Sequence, residues 1–314
     1  MSEPVLIVGS LAIDDIETPF GKMDDIVGGA GYYASIAAGL FSPVRLVGVV
    51  GEDFPPSALE LLEGRGVDLE GVEIVPSGKS FRWAGRYHTD MNARDTLDTQ
   101  LNVFADFNPI LPQGYRDSRY VFLANIMPEL QLSVLDQISP GAFVACDTMN
   151  FWIEGSREKL TEVLSRVDLV LMNDGEVRQF AGNPNITQAA ETILELGPSY
   201  VAVKMGEYGA ALISKDSRFH LPCCPLRHFE DPTGAGDSFA GGLMGYLAWA
   251  NSTDESELRT AVAFGTIAAS FTCETFGPEA LLSTTPEAIY ERYETLATIT
   301  EFSPCPTDAC RVVG

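Results

Sequence analysis

Runs of apolar residues, punctuated by glycines and polar turns, set out the elements of this chain. Val5-Leu6-Ile7-Val8 stops at Gly9, the pattern of a short strand buried on both faces. Residues 44–50 repeat that pattern and end in Gly51-Glu52-Asp53-Phe54; a helix near 57–64 then returns to a strand over 72–75. Between 81 and 87, Phe81-Arg82-Trp83-Ala84-Gly85-Arg86-Tyr87 mixes aromatic and polar positions around a glycine, which predicts exposed strand with Asn92, Arg94 and Asp95 beyond it. A period of two puts Arg82 and Arg86 on one face of that strand.

From Tyr120 strands and helices alternate. Strands are predicted over 120–123, 142–146, 169–172 and 200–204, and helices over 130–138, 157–165, 176–181 and 186–195. This rhythm belongs to a mainly parallel sheet with helices on both faces. Residues 231–242 then pass from small residues into an apolar helical pattern at Phe239, Leu243, Tyr246 and Leu247. An alanine-rich helix over 258–271 should pack on it, followed by a helix near 286–297 and a loosely ordered tail over 304–314. No internal repeat and no Pro/Gly linker interrupts the pattern, so residues 1–314 read as one domain.

Composition narrows the class. With 46% hydrophobic and 20% charged residues the chain is an ordinary globular protein, and no apolar run is long enough to span a bilayer. Met1-Ser2-Glu3-Pro4 lacks the basic flank of a signal peptide and the six cysteines are sparse and irregular, so a cytoplasmic protein with free thiols is expected. A net charge of -24 argues against nucleic acid as a partner. It also means that any phosphate site must create its positive potential locally, from helix ends, Mg²⁺ and a few basic side chains.

Several chemistries lack their residues. Gly78-Lys79-Ser80 ends like a P-loop, but no glycine stands five residues before Gly78. His88, His220 and His228 show no zinc spacing. Gly29, Gly31 and Ala34 match the G-x-G-x-x-A of dinucleotide folds, yet that fingerprint directly follows the first strand, which here ends about twenty residues earlier.

What remains is Asp231-Pro232-Thr233-Gly234-Ala235-Gly236-Asp237-Ser238, a loop running into a helix. The open N–H groups of a helix start, with the positive end of its dipole, form an anion site. Gly234, Ala235 and Gly236 are small enough to admit a phosphate, and Asp237 falls in the first turn beside it, placed to accept a proton. Taken alone, the same residues would serve equally to shape a turn and cap a helix. Likewise Asn173-Asp174-Gly175-Glu176 at a strand end is by itself most often a helix cap, and Asp14 after the first strand a turn carboxylate.

The whole string resembles the C-terminal signature of the ribokinase-like, or PfkB, carbohydrate kinases, Asp-Thr-x-Gly-Ala-Gly-Asp, with Pro232 as a departure. Further likenesses run from Gly9 to Gly277: the Gly28-Gly29 motif, Gly51-Glu52-Asp53, Asn173-x-x-Glu176, and Gly206-x-x-Gly209 after Lys204. The resemblance implies an α/β three-layer sandwich, with a mainly parallel central sheet and a small β lid inserted near 10–27 and 79–105. It implies an ATP-dependent kinase of a sugar or nucleoside, with Mg²⁺ as cofactor, and phosphoryl transfer to a primary alcohol.

Residue by residue, the resemblance makes Asp237 the base and Gly234, Ala235 and Gly236 the anion hole. Asp14, Gly28, Gly29 and Tyr33 become acceptor contacts, to which Arg86 of the lid and Asn125 at a strand end are added. Asn173, Lys204, Gly206, Gly209, Gly234 and Gly236 become nucleotide contacts. Glu176 and Asn173 support Mg²⁺ through water, and Asp231 lies near a monovalent cation such as K⁺. Thr266, Ala269 and Cys273 are candidates for the adenine pocket. The family usually has Asn where this chain has Tyr33, which removes an amide able to bind two hydroxyls. A homodimer through the lid is a further expectation. Two other classes share parts of this pattern: a non-catalytic sugar- or nucleoside-binding regulator on the same fold, and a nicotinamide-dependent oxidoreductase.

Overall fold

A computed structural model of the chain describes residues 2–303, so the expectation for 304–314 lies outside the described residues. The strands are β1 (Val5–Val8), β2 (Ala12–Thr18), β3 (Gly21–Gly28), β4 (Val44–Gly51), β5 (Val67–Val75), β6 (Phe81–Tyr87), β7 (Arg94–Gln100), β8 (Tyr120–Leu123), β9 (Phe143–Asp147), β10 (Leu169–Asn173), β11 (Tyr200–Lys204), β12 (Ala210–Ser214) and β13 (Arg218–Leu221). The helices are α1 (Ala30–Ala38), α2 (Pro56–Gly64), α3 (Pro128–Leu135), α4 (Asn150–Gly155), α5 (Arg157–Leu164), α6 (Asp174–Ala181), α7 (Ile186–Leu194), α8 (Ala235–Ala250), α9 (Glu255–Thr272), α10 (Glu279–Leu282) and α11 (Pro286–Thr300).

Nine strands form the central sheet in the order β13-β12-β11-β10-β9-β8-β1-β4-β5. The run from β5 to β11 is parallel, and β12 and β13 add an antiparallel edge. Continuous apolar runs form these strands because both faces are covered. Alternate side chains of one strand feed opposite cores: Val5 and Ile7 join one cluster with α8 and α9, whereas Leu6 and Val8 join the other with α5 and α7. Leu169 and Leu171 part from Val170 and Met172 in the same way. Each fully buried Leu or Ile contributes about 1.5–3 kcal/mol of apolar burial.

A second sheet, β3-β2-β6-β7, is built from residues 12–28 and 81–100. β6 joins β2 in parallel, and the other two pairs are antiparallel. Against the exposed strand expected over 81–87, β6 exposes only Arg86, because its aromatic side chains are packed, Phe81 on Phe104 and Tyr87 at Thr233. β5 starts at Val67, five residues before the predicted strand. It is an edge strand whose polar Asp68 and Glu70 break the apolar run that marks its inner neighbours.

α8 lies buried between α1 and α9, which is why small residues recur along it. A Cβ on Gly241 would stand 2.2 Å from the Ala34 carbonyl oxygen, so the backbones of α1 and α8 meet without side chains between them. That contact fixes the start of α8 relative to the loop between β3 and α1.

Candidate active site

β1, β9, β10 and β11 are parallel, so their C-terminal ends share one edge of the sheet, where open α/β folds bind ligands. Asp147 ends β9, Asn173 ends β10 and Lys204 ends β11, while Asp14 follows β1 on β2. α8 starts among the same groups.

The N-cap of α8 is Gly234, at φ 78° and ψ −3°, and no side chain caps it. Glycine is required twice here: the backbone is left-handed, and a Cβ would lie 2.4 Å from the Tyr33 ring. Asp237 occupies the first turn and leaves that start open. Ala235 differs from its expected part: its N–H already donates to the Pro232 carbonyl at 3.1 Å, so its contribution is a small side chain lining the crevice.

Around this start the charges are crowded. Burial, and then the Asp147 carboxylate, push Asp237 up to about 7, against the lowering pull of Lys204 and Arg94. Burial alone would lower Lys204, but its ion pair with Asp147 and the nearby Glu176 outweigh that and raise it. A Cβ on Gly236 would be 3.2 Å from Lys204 Nζ, so the cation stands at the glycine loop. Glu176 is pushed up to about 7 by burial, with Lys204 acting against the shift.

Asp14 is 4% exposed, and burial first, then Asp231 and Asp237, push it up to about 8. Its carboxylate crowds Gly28, where a Cβ would come within 2.3 Å of Oδ2. Gly29, at φ 99°, caps α1. Tyr33, on α1, is 1% exposed and wedged between Gly28 and Gly234; its hydroxyl is buried without a hydrogen-bond partner among the described residues. Burial and the Asp231 and Asp14 charges hold that phenol well above its ordinary range. Asp231 is fully buried: Oδ1 accepts from the Thr233 N–H at 2.9 Å, and Oδ2 has no hydrogen-bond partner among the described residues. Thr233 Oγ1 meets the Tyr87 hydroxyl of β6 at 3.2 Å, which joins the small sheet to the loop.

Beside the loop lies a cavity of about 570 Å³. Lys204, Gly206, Gly209 and Gly236 line it, and so do Thr266, Ala269 and Cys273 of α9 and its C-terminal end. Gly234 and Asn173 do not. The cavity also takes in Met91 and Asn92 from the turn between β6 and β7, the 223–226 loop, and Phe229. No spacing in the sequence marks these, because they reach the cavity only through the fold.

Asn173 and Glu176 form a complete capping box at α6. The Asn173 N–H and side-chain amide donate to the two Glu176 carboxylate oxygens at 2.7 Å, and Glu176 N–H donates to Asn173 Oδ1 at 2.8 Å. Among the described residues no three His, Cys, Asp or Glu side chains converge as a metal cage. Both Glu176 oxygens already accept from Asn173, so this pair would meet Mg²⁺ only through the waters that ion keeps.

Two expected acceptor contacts stand elsewhere. Arg86 is exposed and ion-paired with Glu17 at 3.0 Å, on the β6 face opposite Tyr87, so the structure does not bring it to Asp237; Arg82, on that same face, pairs with Asp25 at 2.8 Å. Asn125 accepts from Trp152 Nε1 at 3.0 Å and makes no hydrogen bond to the Asp14 group among the described residues. A shallow groove of about 590 Å³ at Ile110, Leu132 and Lys159 lies apart from all these groups. Among the described residues, no helix is long and apolar enough to cross a membrane.

Comparison with known proteins bears on this geometry. The profile of the pfkB family carbohydrate kinases matches residues 19–285. A cytidine kinase of Thermococcus kodakarensis is 32% identical over 250 residues, which cover 77% of this chain and 88% of that protein. The solved nucleoside kinase of Methanocaldococcus jannaschii, an archaeal member of the ribokinase family, has a TM-score of 0.74 at 22% identity, covering 93% of this chain and 98% of that one. A putative ribokinase II from E. coli, solved with ATP and Mg²⁺, has a TM-score of 0.76 at 20% identity over 95% and 100% of the two chains.

Proposed function

Because this chain belongs to the pfkB family of carbohydrate kinases, and is thereby a carbohydrate or nucleoside kinase, we propose that it transfers the γ-phosphoryl group of ATP to a primary hydroxyl of a nucleoside. The observation that carries this is the uncapped start of α8 with Asp237 in its first turn, at the rim of a cavity that holds Lys204, Gly206 and Gly209. Phosphoryl transfer asks mainly for positioning, charge stabilisation and a base, and those three are what this corner offers.

In the proposed step the acceptor oxygen forms its bond to the γ-phosphorus while the bond to the β–γ bridging oxygen breaks and ADP leaves. The hydroxyl proton passes to the Asp237 carboxylate. Its raised pKa of about 7 suits proton acceptance near neutrality. The N–H groups of Gly234 and Gly236 and the Lys204 ammonium face the transferring charge. Mg²⁺, when bound with the nucleotide, neutralises phosphate charge; Glu176 and Asn173 would hold its waters. The buried, unpartnered Asp231 Oδ2 fits a monovalent cation such as K⁺.

Asp14, Gly28 and Gly29 bind the acceptor, and the buried Tyr33 ring backs Gly28 from behind instead of contacting that acceptor. The nucleoside class is supported by the cytidine kinase relative. The small sheet, from segments near 10–27 and 79–105, serves as a lid within a single kinase domain. Its exposed Phe20, Met23 and Leu97 support a homodimer through it.

An ADP-release screen over nucleosides, pentoses and hexoses tests the acceptor, with nucleosides expected to show the highest kcat/KM. Phosphorylation of sugars alone would remove the nucleoside assignment. Ligand-induced stabilisation without ADP release for any acceptor would make the protein a binding regulator instead.

A further inference from the structure

One buried side chain bridges the C-terminal ends of β8 and β9. The Gln131 amide, on α3, donates to the Ala124 carbonyl at 3.0 Å and to the Asp147 carbonyl at 3.0 Å, which fixes the backbone of Asp147. On the side-chain side, the Thr148 N–H donates to Asp147 Oδ1 at 2.8 Å, and Oδ2 takes the Lys204 ammonium. The carboxylate is thus held in one orientation with one cation, in a setting only 3% exposed.

The cation it holds has other partners within reach of its charge. A lysine stem is flexible, and a buried ammonium without a counter-charge tends to shed its proton. Glu176 and Asp237 both act on Lys204. Both Glu176 oxygens are already taken by Asn173, so the competing acid is Asp237, and pairing there would occupy the proposed base. Among the described residues Lys204 pairs with Asp147 alone, and a Cβ on Gly236 would stand 3.2 Å from its Nζ.

We infer that Asp147 is a positioning residue for the transfer: it holds Lys204 charged at the glycine loop and off Asp237, which leaves the base free for the acceptor proton. This rests on the reaction proposed above at Asp237. The groups that face Asp237 are Asp147 from β9, Lys204 from β11, Arg94 from β7 and Asp14 from β2. Beyond burial, the Asp147 charge raises Asp237, and Lys204 lowers it. Removing the Asp147 charge and freeing Lys204 therefore act on the base in the same direction.

The test measures kcat, KM for ATP, Tm and the pH profile of kcat/KM for Asp147→Asn, Lys204→Met and the double variant. Asp147→Asn should lower kcat by about 10²-fold, the usual cost of a group misplaced by an ångström, and should move the acid limb of the profile to lower pH. The double variant should lose no more kcat than Lys204→Met alone, because the two residues act as one unit. Its Tm should return towards the parent, since no unpaired charge is left buried, while its kcat stays low. An Asp147→Asn kcat within threefold of the parent, an unmoved limb, additive losses, or a double variant whose kcat recovers with its Tm overturns the inference. Should Asp237→Asn stay active, the base falls and this inference with it. An inactive Asp237→Asn beside a fully active Asp147→Asn removes this inference alone.

Discussion

Two helices begin at the same edge of the central sheet and are finished in opposite ways. At α6, Asn173 and Glu176 satisfy each other's backbone and side chains, and that helix start is complete without a ligand. At α8, Gly234 offers no cap, and Asp237 in the first turn leaves the start open. Capping is worth about 1 kcal/mol to an ordinary helix, so an uncapped start on a 16-residue buried helix forgoes stability that a nearby Asp or Ser could supply. The difference separates a helix end that serves the fold from one kept open for an anion.

The largest effect that would break the contrast is on turnover. Asp237→Asn should lower kcat by about 10²–10⁴-fold, the usual span for a general base, and leave Tm unchanged or higher because a buried charge is removed. Should Tm fall as for a lost cap, with turnover intact, α8 would resemble α6 after all. Gly234→Ala comes next: the added Cβ must displace the Tyr33 ring and adopt a left-handed backbone, so kcat should drop at least about tenfold and stability by about 1–3 kcal/mol. Steady-state kinetics and thermal denaturation of the same preparation separate the two losses.

The pH profile sharpens the comparison further. Asp14, at about 8, and Asp237 and Glu176, at about 7, ionise in the unfolded chain near 4. The folded protein therefore holds the extra protons, and their contribution to stability is full below about pH 4 and is lost as pH rises towards 8. Tm should fall across that window, and Asp14→Asn should flatten the fall and raise Tm at pH 8 by roughly 2–4 °C. Activity should move the other way, with kcat/KM rising through about pH 7 as Asp237 loses its proton. A Tm that climbs from pH 5 to 8 would contradict the assigned burial of these carboxyls. The smallest effect belongs to the closed helix start: Asn173→Ala should cost about 1 kcal/mol of stability and raise the Mg²⁺ needed for half-maximal rate less than tenfold. A larger loss of turnover than Asp237→Asn produces would reverse the ranking of the two sites.

Much of this architecture was legible from periodicity. The parallel strands are continuous apolar runs because two cores flank them, whereas 81–87 reads as exposed strand and is mostly half-buried, because the segments that cover it are distant in sequence. The Asn173–Glu176 box is local and was readable as a cap, and Gly234 to Asp237 as a loop entering a helix. What escaped depends on contacts between distant segments. Arg86 and Arg94 look equivalent as polar residues on adjacent strands; only the register across β6 and β7, with its irregularity between Ala84 and Gly85, turns Arg94 and Tyr87 together. The Lys204–Asp147 pair joins residues 57 positions apart, and neither spacing nor polarity announces it. β5 extends ahead of its apolar run because an edge strand tolerates Asp68 and Glu70 on its open side.

Tyr33 touches Gly28 on one side and Gly234 on the other. A mutation that reshapes the pocket for a new acceptor therefore also disturbs the loop that handles the phosphate. Selection for altered substrate choice would move the rate at the same time, so this chain is poorly placed to drift between acceptors by single steps. Recruiting it to another substrate, in evolution or in the laboratory, calls for paired changes at positions 33 and 28 with the glycine at 234 left alone.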